Sequence, residues 1–389
     1  MAVDTTARPS FLRPLTVALV LIAVLGLLFG TSWWTVVAAA GWGPAGLAAG
    51  SAVFGGAALA LPILKILGQR DHDGLSVAGD VLLGAGWVLF TCSVAGNVLR
   101  LALSASGVEQ AGRITAVAVL AVSGALLAWG HFEAMRVPRV EEVEVTLPRL
   151  GPGLDGARVV LLTDTHYGPT DRAAWSRKVT GVVNGLGADV VCHTGDIADG
   201  SVRQRREQAA PLADIEARLA RVYVTGNHEY YGDALGWLDH MRELGWEPLR
   251  NHHVVVERGG DRLVLAGIDD ATAHHSGHPG HRADLEAALT GADPSLPVLL
   301  LAHQPKQIGQ AEAAGVDLQI SGHTHGGQIW PFRYLVRLDQ PAVAGLSRRT
   351  DRTQLYTSRG TGFWGPPFRV FAPSEITLLV LRSPVGTSS

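Results

Sequence analysis

The hydrophobic pattern changes character about one third of the way along the chain. From Leu15 to about Val37 almost every position is apolar and none is charged. Similar runs follow from about Ala45 to Leu64, Val77 to Leu99 and Ile114 to Met135. Each comes close to the roughly 20 residues needed to cross a hydrocarbon core. Trp33, Trp34, Trp42 and Trp129 sit near the ends of these runs, where interfacial aromatics collect, and Gly, Ala and Ser within them allow close helix packing. The pattern predicts four transmembrane helices, over about 15–37, 45–67, 77–100 and 114–135, in a helical domain of residues 1–136.

A cleaved signal peptide is the alternative for the first run, with Arg8 and Arg13 before it and Ala38-Ala39-Ala40 after it. The three later runs give a membrane anchor in either case. Four helices return the chain to its starting side, which then carries Arg8, Arg13, Lys65, Arg70, Arg136 and Arg139 against Arg100 and Arg113 opposite. The positive-inside rule places the C-terminal domain in the cytoplasm of a multi-pass membrane protein. Asp71-His-Asp-Gly74 resembles the start of a calcium loop but lacks the later Glu, so it reads as a polar loop between helices. Asn97 and Arg100, near the end of the third run, are expected to snorkel or cap.

Beyond Met135 the periodicity becomes that of an α/β domain. Residues 137–156 read as a linker with an edge strand, Val143–Leu147, and residues 383–389 as a tail. Between them, at 157–382, short β-rich runs alternate with amphipathic stretches. The strands expected are Arg158–Thr163, Asp189–Thr194, Arg221–Thr225, Arg262–Ile268, Pro297–Ala302, Asp317–Ile320, Gln354–Thr357 and Glu375–Leu381. A helix with Trp175, Val179 and Leu186 on one face follows the first of these strands, and a second, rich in Arg and Glu, runs to about Ala220. The ends of the strands at 163, 194 and 225 are about thirty residues apart, the length of a βαβ unit, so right-handed crossovers line them up along one sheet edge.

Composition sharpens this division. The chain has 389 residues and a net charge of −3, and no polyelectrolyte tail points to nucleic acid. Mean hydropathy is positive although the second half has the character of a soluble enzyme, which again assigns the first third to the membrane. Cys92 and Cys192 lie in different apolar stretches, so a disulfide framework is excluded.

Chemistry collects at the strand ends. Asp164 and His166 follow the first strand of the domain, Asp196 and Asp199 the second, and Asn227 and His228 the third. His303 follows the Pro297–Ala302 strand, and His323 and His325 sit in Ser321-Gly-His-Thr-His-Gly-Gly-Gln328. Taken singly, an Asp after a strand is a cap or turn former and a lone His is polar surface. Successive loops that all bear metal-competent groups on one edge of an open α/β sheet point to a metal site. Gly322, Gly326 and Gly327 let the backbone bend sharply around the two imidazoles.

These motifs, Asp-x-His, Gly-Asp-x-x-Asp, Gly-Asn-His-Glu, a lone His and Gly-His-x-His in order, resemble those of the calcineurin-like metallophosphoesterases, over about residues 157–382. The downstream Gly-Gly-Gln, Ser358-Arg-Gly-Thr-Gly362 and Pro366-Pro-Phe-Arg369 are similar to a bacterial membrane-associated branch. The resemblance implies a four-layer α/β/β/α sandwich with two divalent metal ions. Asp164, His166 and His325 would hold one metal, Asn227, His303 and His323 the other, and Asp196 would bridge them. One shared carboxylate keeps two cations about 3.5–4 Å apart, the spacing that clamps both oxygens of an in-line displacement. A shell of nitrogen and oxygen without thiolate suits Mn, Fe or Zn. The resemblance makes His228 the group that protonates or stabilises the leaving oxygen and Asp199 its orienting partner, against a simple helix-start reading of Asp199. Glu229 and Tyr230 are expected to support the loop.

The apolar runs and the resemblance together imply a membrane-anchored phosphoesterase that cleaves a phosphoester or pyrophosphate with a metal-activated hydroxide. The anchor suggests a lipid or lipid-linked substrate. Gly200 after Asp199, where protein phosphatases carry Arg, argues against phosphoproteins. The alternatives are a non-catalytic membrane sensor or scaffold, and a transporter with a soluble appendage, which the scarcity of ionisable residues in the apolar runs weakens. The loop 271–281, with His274, His275, His278 and His281, reads as a lid or an adventitious metal surface. Gly360-Thr-Gly-Phe-Trp-Gly365 matches the dinucleotide fingerprint by letters only, because Pro366-Pro367 forbid the helix that must come next.

Overall fold

The computed structural model describes residues 12–68 and 72–384, without the side chains of 12–15. Arg8, Arg70, Asp71 and the tail beyond 384 lie outside the described residues, as does the side chain of Arg13. The chain divides into two compact units, Met1–Ala128 and Trp129–Ser389.

The first unit is helical. Helix α1 (Leu12–Trp33) passes into a π-helical turn, Trp34–Ala38, and is followed by α2 (Gly43–Gly68), α3 (Asp73–Ala105) and α4 (Ala111–Met135), whose residues from Trp129 onward belong to the second unit. Among the described residues four helices are long and apolar enough to cross a membrane. Small residues let them approach: a Cβ at Gly50 would meet Val37 at 2.5 Å, and one at Gly96 would meet Val119 at 2.5 Å. Two expectations are corrected. Asp73 and Gly74 open α3 instead of lying in a loop. Asn97 neither snorkels nor caps: its amide donates to Thr35 Oγ1 at 2.7 Å and to Ser93 O, joining two helical segments through a polar contact.

The second unit holds two six-stranded mixed sheets. The first contains β1 (Arg139–Thr146), β2 (Ala157–Leu162), β3 (Val190–His193), β4 (Ala220–Tyr223), β5 (Glu247–Pro248) and β12 (Glu375–Arg382), in the order β1-β12-β2-β3-β4-β5. The second contains β6 (His252–Arg258), β7 (Asp261–Gly267), β8 (Val298–Leu301), β9 (Leu318–Ser321), β10 (Gly345–Arg348) and β11 (Gln354–Thr357), in the order β10-β11-β9-β8-β7-β6. The helices of this unit are α5 (Ala173–Gly185), α6 (Val202–Ala209), α7 (Asn227–Tyr231), α8 (Ala234–Glu243), α9 (Leu285–Leu289), α10 (Ile308–Ala314) and α11 (Arg333–Val336).

The strand alternation builds three apolar layers. In β2, Val159 and Leu161 face the other sheet while Val160 and Leu162 face α5 and α8; β12 does the same with Leu379 and Leu381 against Leu378 and Val380. In β8, Leu299 and Leu301 enter the inter-sheet core and Val298 and Leu300 pack under α9 and α10. Both faces of these strands are buried, which explains their continuous apolar text. This is an α/β/β/α sandwich.

Some boundaries differ from the sequence reading. The edge strand begins at Arg139 and pairs in parallel with β12 throughout. The Arg-rich helix stops at Ala209 and passes through a 3₁₀ turn ending at Asp214, where Pro211 tightens the chain. Strands β5, β6 and β10 were not expected. β5 spans only Glu247–Pro248, and in β6 only Val256 is buried, so neither strand carries a buried period.

Candidate metal centre

Strands β2, β3 and β4 run parallel, with Val159 beside Val190 and Val190 beside Ala220, so their carboxyl ends open at one edge. The loops beyond those ends are laced together: Asp164 N–H donates to Gly195 O at 3.0 Å, His166 N–H to Asp196 O at 3.2 Å and Tyr167 N–H to Ile197 O at 2.8 Å. The second sheet reaches across. His323 N–H lies 3.0 Å from both oxygens of Asp164, and His303 Nδ1 donates to Thr194 O at 2.7 Å.

Backbone strain is concentrated here. Asp164, His166, Asp196, His323 and His325 all have positive φ, between 43° and 68°. Non-glycine residues take that region at a cost and persist in it where the surroundings dictate their geometry. Two glycines make room for the carboxylates: a Cβ at Gly322 would stand 2.1 Å from Asp164 Oδ2, and one at Gly226 would stand 2.2 Å from Asp196 Oδ1.

The side chains converge in overlapping triads. Ligand atoms of Asp164, His166 and His325 lie within 4.8 Å of one another, as do those of Asp196, His303 and His323, and those of His166, Asp196 and His228. Asn227 Oδ1 is 3.1 Å from His303 Nε2. The seven residues expected as ligands therefore surround one pocket, and all but His323 are buried.

Hydrogen bonding fixes the tautomers. His166 donates Nδ1–H to Asp199 at 2.9 Å and His303 donates Nδ1–H to Thr194 O, so in each neutral ring Nε2 carries only a lone pair. Those lone pairs are aimed at other acceptors. His303 Nε2 faces Asp196 Oδ2 at 3.3 Å, and His166 Nε2 faces the same oxygen at 3.6 Å. Acceptors crowded in this way repel one another unless a cation lies among them. The donor set fits divalent metal ions on this ground.

The field of the pocket has the same sign. Burial opposes ionisation of Asp164 and Asp196, yet the surrounding imidazoles hold both carboxyls below their usual range. Burial pushes His323 and His325 down to about 4, which leaves neutral rings. With no cation among them, Asp196 raises His303 and His228 despite burial, His228 to about 9, so a proton on His303 Nε2 stands where a metal ion would otherwise separate it from Asp196.

Asp199 does not start a helix; Ser201 caps α6 through a reciprocal capping box with Gln204. Asp199 Oδ1 instead lies 2.9 Å from His166 Nδ1 and 2.7 Å from His228 Nδ1. Glu229 accepts from the N–H groups of Gly226, Asp196 and Ile197 at 2.6, 2.9 and 2.8 Å, the supporting place expected of it, while Tyr230 Oη meets His281 Nδ1 at 3.1 Å. Among the described residues the histidines of loop 271–281 join none of the triads.

Two features beside the site were not anticipated. The 360–365 segment packs under Asp164, with Gly362 N–H donating to Asp164 O at 2.9 Å. Arg369 is wholly buried; it donates to the carbonyls of Gly362, Ala372 and Arg359 and reaches His325 Nδ1 at 3.3 Å. Its text, Pro-Pro-Phe-Arg, carried a branch resemblance in the sequence but gave no sign of a place beside the metal pocket.

This fold and pocket define a calcineurin-like phosphoesterase, and the chain belongs to that family of metallophosphoesterases, whose model matches residues 157–327. It is similar to an uncharacterised metallophosphoesterase of Aquifex aeolicus, 30% identical over 256 residues that cover 66% of this chain and 95% of that one. It is 40% identical over 272 residues to a Danio rerio transmembrane protein with metallophosphoesterase domain, covering 68% of this chain and 62% of that one. A Helicobacter pylori metallophosphoesterase, also uncharacterised, is 36% identical over 253 residues, covering 65% and 66%. The chain thus spans less than two thirds of the length of the Danio rerio protein.

Proposed function

We propose that the chain is a multi-pass membrane phosphoesterase that hydrolyses a phosphoester or pyrophosphate at a two-metal site, on the cytoplasmic face and on a lipid or lipid-linked substrate. The observation that carries the reading is the pair of imidazole lone pairs, on His166 and His303, both aimed at Asp196 Oδ2. Asp164, His166 and His325 would hold one metal, Asn227, His303 and His323 the other, and Asp196, which shares triads with both groups, would serve both. Mn, Fe or Zn suits these donors. When bound, the metals polarise the phosphoryl oxygens and make a water acidic enough to attack at neutral pH.

The chain's own groups do the rest. Asp199 fixes the rings of His166 and His228 through one oxygen. His228, with its ring edge-on to His166 at 4.7 Å between centroids, supplies a proton to the leaving oxygen. His323 and His325, both held neutral by burial, do not compete for that proton.

The test is a screen of the full-length protein in detergent, with Mn, Fe or Zn added, against lipid phosphates, nucleotide diesters and sugar-nucleotide lipids. Turnover that disappears in Asp196→Ala is the expected result. A wild-type chain that binds metal yet cleaves nothing would be a sensor or scaffold instead. A reporter fused to the C-terminus decides the side of the membrane.

A further inference from the structure

The second unit exposes a set of large apolar side chains immediately after the Gly-His-Thr-His-Gly-Gly loop. Trp330, Leu335 and Leu338 are 44, 50 and 83% exposed, and Phe371 on a neighbouring loop is 60% exposed. The two loops are bonded to one another, Trp330 N–H to Val370 O at 3.0 Å and Val370 N–H to Gln328 O at 2.9 Å. The Trp330 and Phe371 rings lie 6.4 Å apart. A soluble surface rarely gathers residues of this size and leaves them wet.

Three further observations say what covers them. The Phe371 ring also meets Trp129 at 5.4 Å, and Trp129 belongs to α4, a helix apolar enough to cross a membrane. The aromatic cluster is therefore continuous, within this unit, with residues that suit the lipid–water boundary. The neighbours of Leu335 and Leu338 are Arg333, Tyr334 and Arg337, the mixture of cation and amphipathic ring that settles among headgroups. Finally, the cluster borders the metal pocket. Gln328 binds the backbone of Trp364 in both directions, at 2.7 and 2.9 Å, and the Trp364 ring stands edge-on to His228 at 6.0 Å.

We propose that Trp330, Leu335, Leu338 and Phe371 form a bilayer-docking surface that seats the mouth of the metal pocket in the headgroup layer. The docking needs no turnover. Its consequence, that the phosphoester is drawn from the lipid surface itself, rests on the phosphoesterase reading above.

The test uses the full chain in vesicles of phosphatidylcholine and phosphatidylglycerol, with an environment-sensitive fluorophore on Leu338→Cys in a Cys92→Ala background. Cys192 is buried and does not label. The control is Ser295→Cys, an exposed position before β8 and so at the opposite end of the strands from the metal loops. Lipids that carry a quencher near the headgroup should dim the probe at 338 by about twofold or more relative to that at 295. Equal quenching overturns the docking. So does a probe at 338 that is shielded from aqueous iodide but untouched by lipid quenchers, since a protein then covers the patch. The substrate consequence is read from Leu335→Asp/Leu338→Asp, which should lose hydrolysis of a bilayer-resident phosphoester and keep that of soluble p-nitrophenyl phosphate esters. Equal effects on both overturn it. If the wild type cleaves neither, the phosphoesterase reading falls with the substrate claim, and quenching still decides the docking.

Discussion

Oδ1 of Asp199 lies 2.7 Å from Nδ1 of His228, and the same oxygen takes the Nδ1 proton of His166 at 2.9 Å. One carboxylate thus sets the tautomer of a proposed metal ligand and the orientation of the proposed proton donor. Asp199→Asn keeps the shape and an oxygen that can still accept, but removes the negative charge that fixes both rings with Nδ1–H toward it. Turnover is expected to fall about 10–100-fold, the usual cost of removing such an outer partner. In His228→Ala, esters of poor alkyl leaving groups should suffer more than p-nitrophenyl esters, because nitrophenolate needs no proton to depart. Equal losses on the two substrates would show that His228 donates no proton.

His323 and His325 are two residues apart but belong to different triads, one with Asp196 and His303, the other with Asp164 and His166. Replacing either by Ala should therefore leave about one metal ion per chain, whereas Asp196→Ala should deplete both sites. Elemental analysis of the purified variants measures this directly. If His323→Ala and His325→Ala each retained or lost both ions, the division between two sites would be wrong.

The strand ends and the residues proposed as ligands were legible because most of them lie just past a buried apolar run, and such runs are hard to mistake. The inter-sheet lacing was not legible. That His323 N–H would grip Asp164, and that Arg369 would hold the carbonyls around His325, depends on the packing of the sheet that pairs β9 with β11 against the sheet that holds β2, which no local pattern encodes. The short edge strands escaped for a related reason: with one face wet, β6 and β10 carry too few buried side chains to show a period. Asp199 was legible as a motif but ambiguous as a role, and only the capping of α6 by Ser201 removes its helix-start alternative.

Gly322 and Gly309 make a paired test of backbone space. A Cβ at Gly322 meets Asp164 Oδ2 and Thr163 Oγ1, both at 2.1 Å, whereas one at Gly309, inside α10, meets nothing within 4 Å. Gly322→Ala should displace the Asp164 carboxylate, weaken metal binding and destabilise the fold. Gly309→Ala should gain about 0.5–1 kcal/mol from helix propensity and the reduced freedom of the unfolded chain. Thermal unfolding with and without metal separates the two; a Gly322→Ala chain that binds metal normally would refute the packing argument.

His193 gives the fold an acid sensitivity with a definite sign. Its ring is wholly buried; Nδ1 accepts from Gly195 N–H at 3.3 Å and Nε2 lies 3.2 Å from Thr165 Oγ1, so it is held as a neutral donor–acceptor. Burial pushes it from 6.5 down to about 3. A depressed value means the unfolded chain takes up a proton that the folded chain refuses. The contribution to stability is therefore complete above 6.5 and drains away as pH falls toward 3, with a slope of up to about 1.4 kcal/mol per pH unit. His193→Gln cannot titrate. It should be less stable than wild type near pH 8, through lost hydrogen bonds, and the gap should narrow steadily as pH falls below 6.5. Measuring both chains after chelation keeps metal release out of the comparison. A gap that stayed constant from pH 8 to pH 4 would mean that His193 is protonated in the folded state or already shielded in the unfolded one.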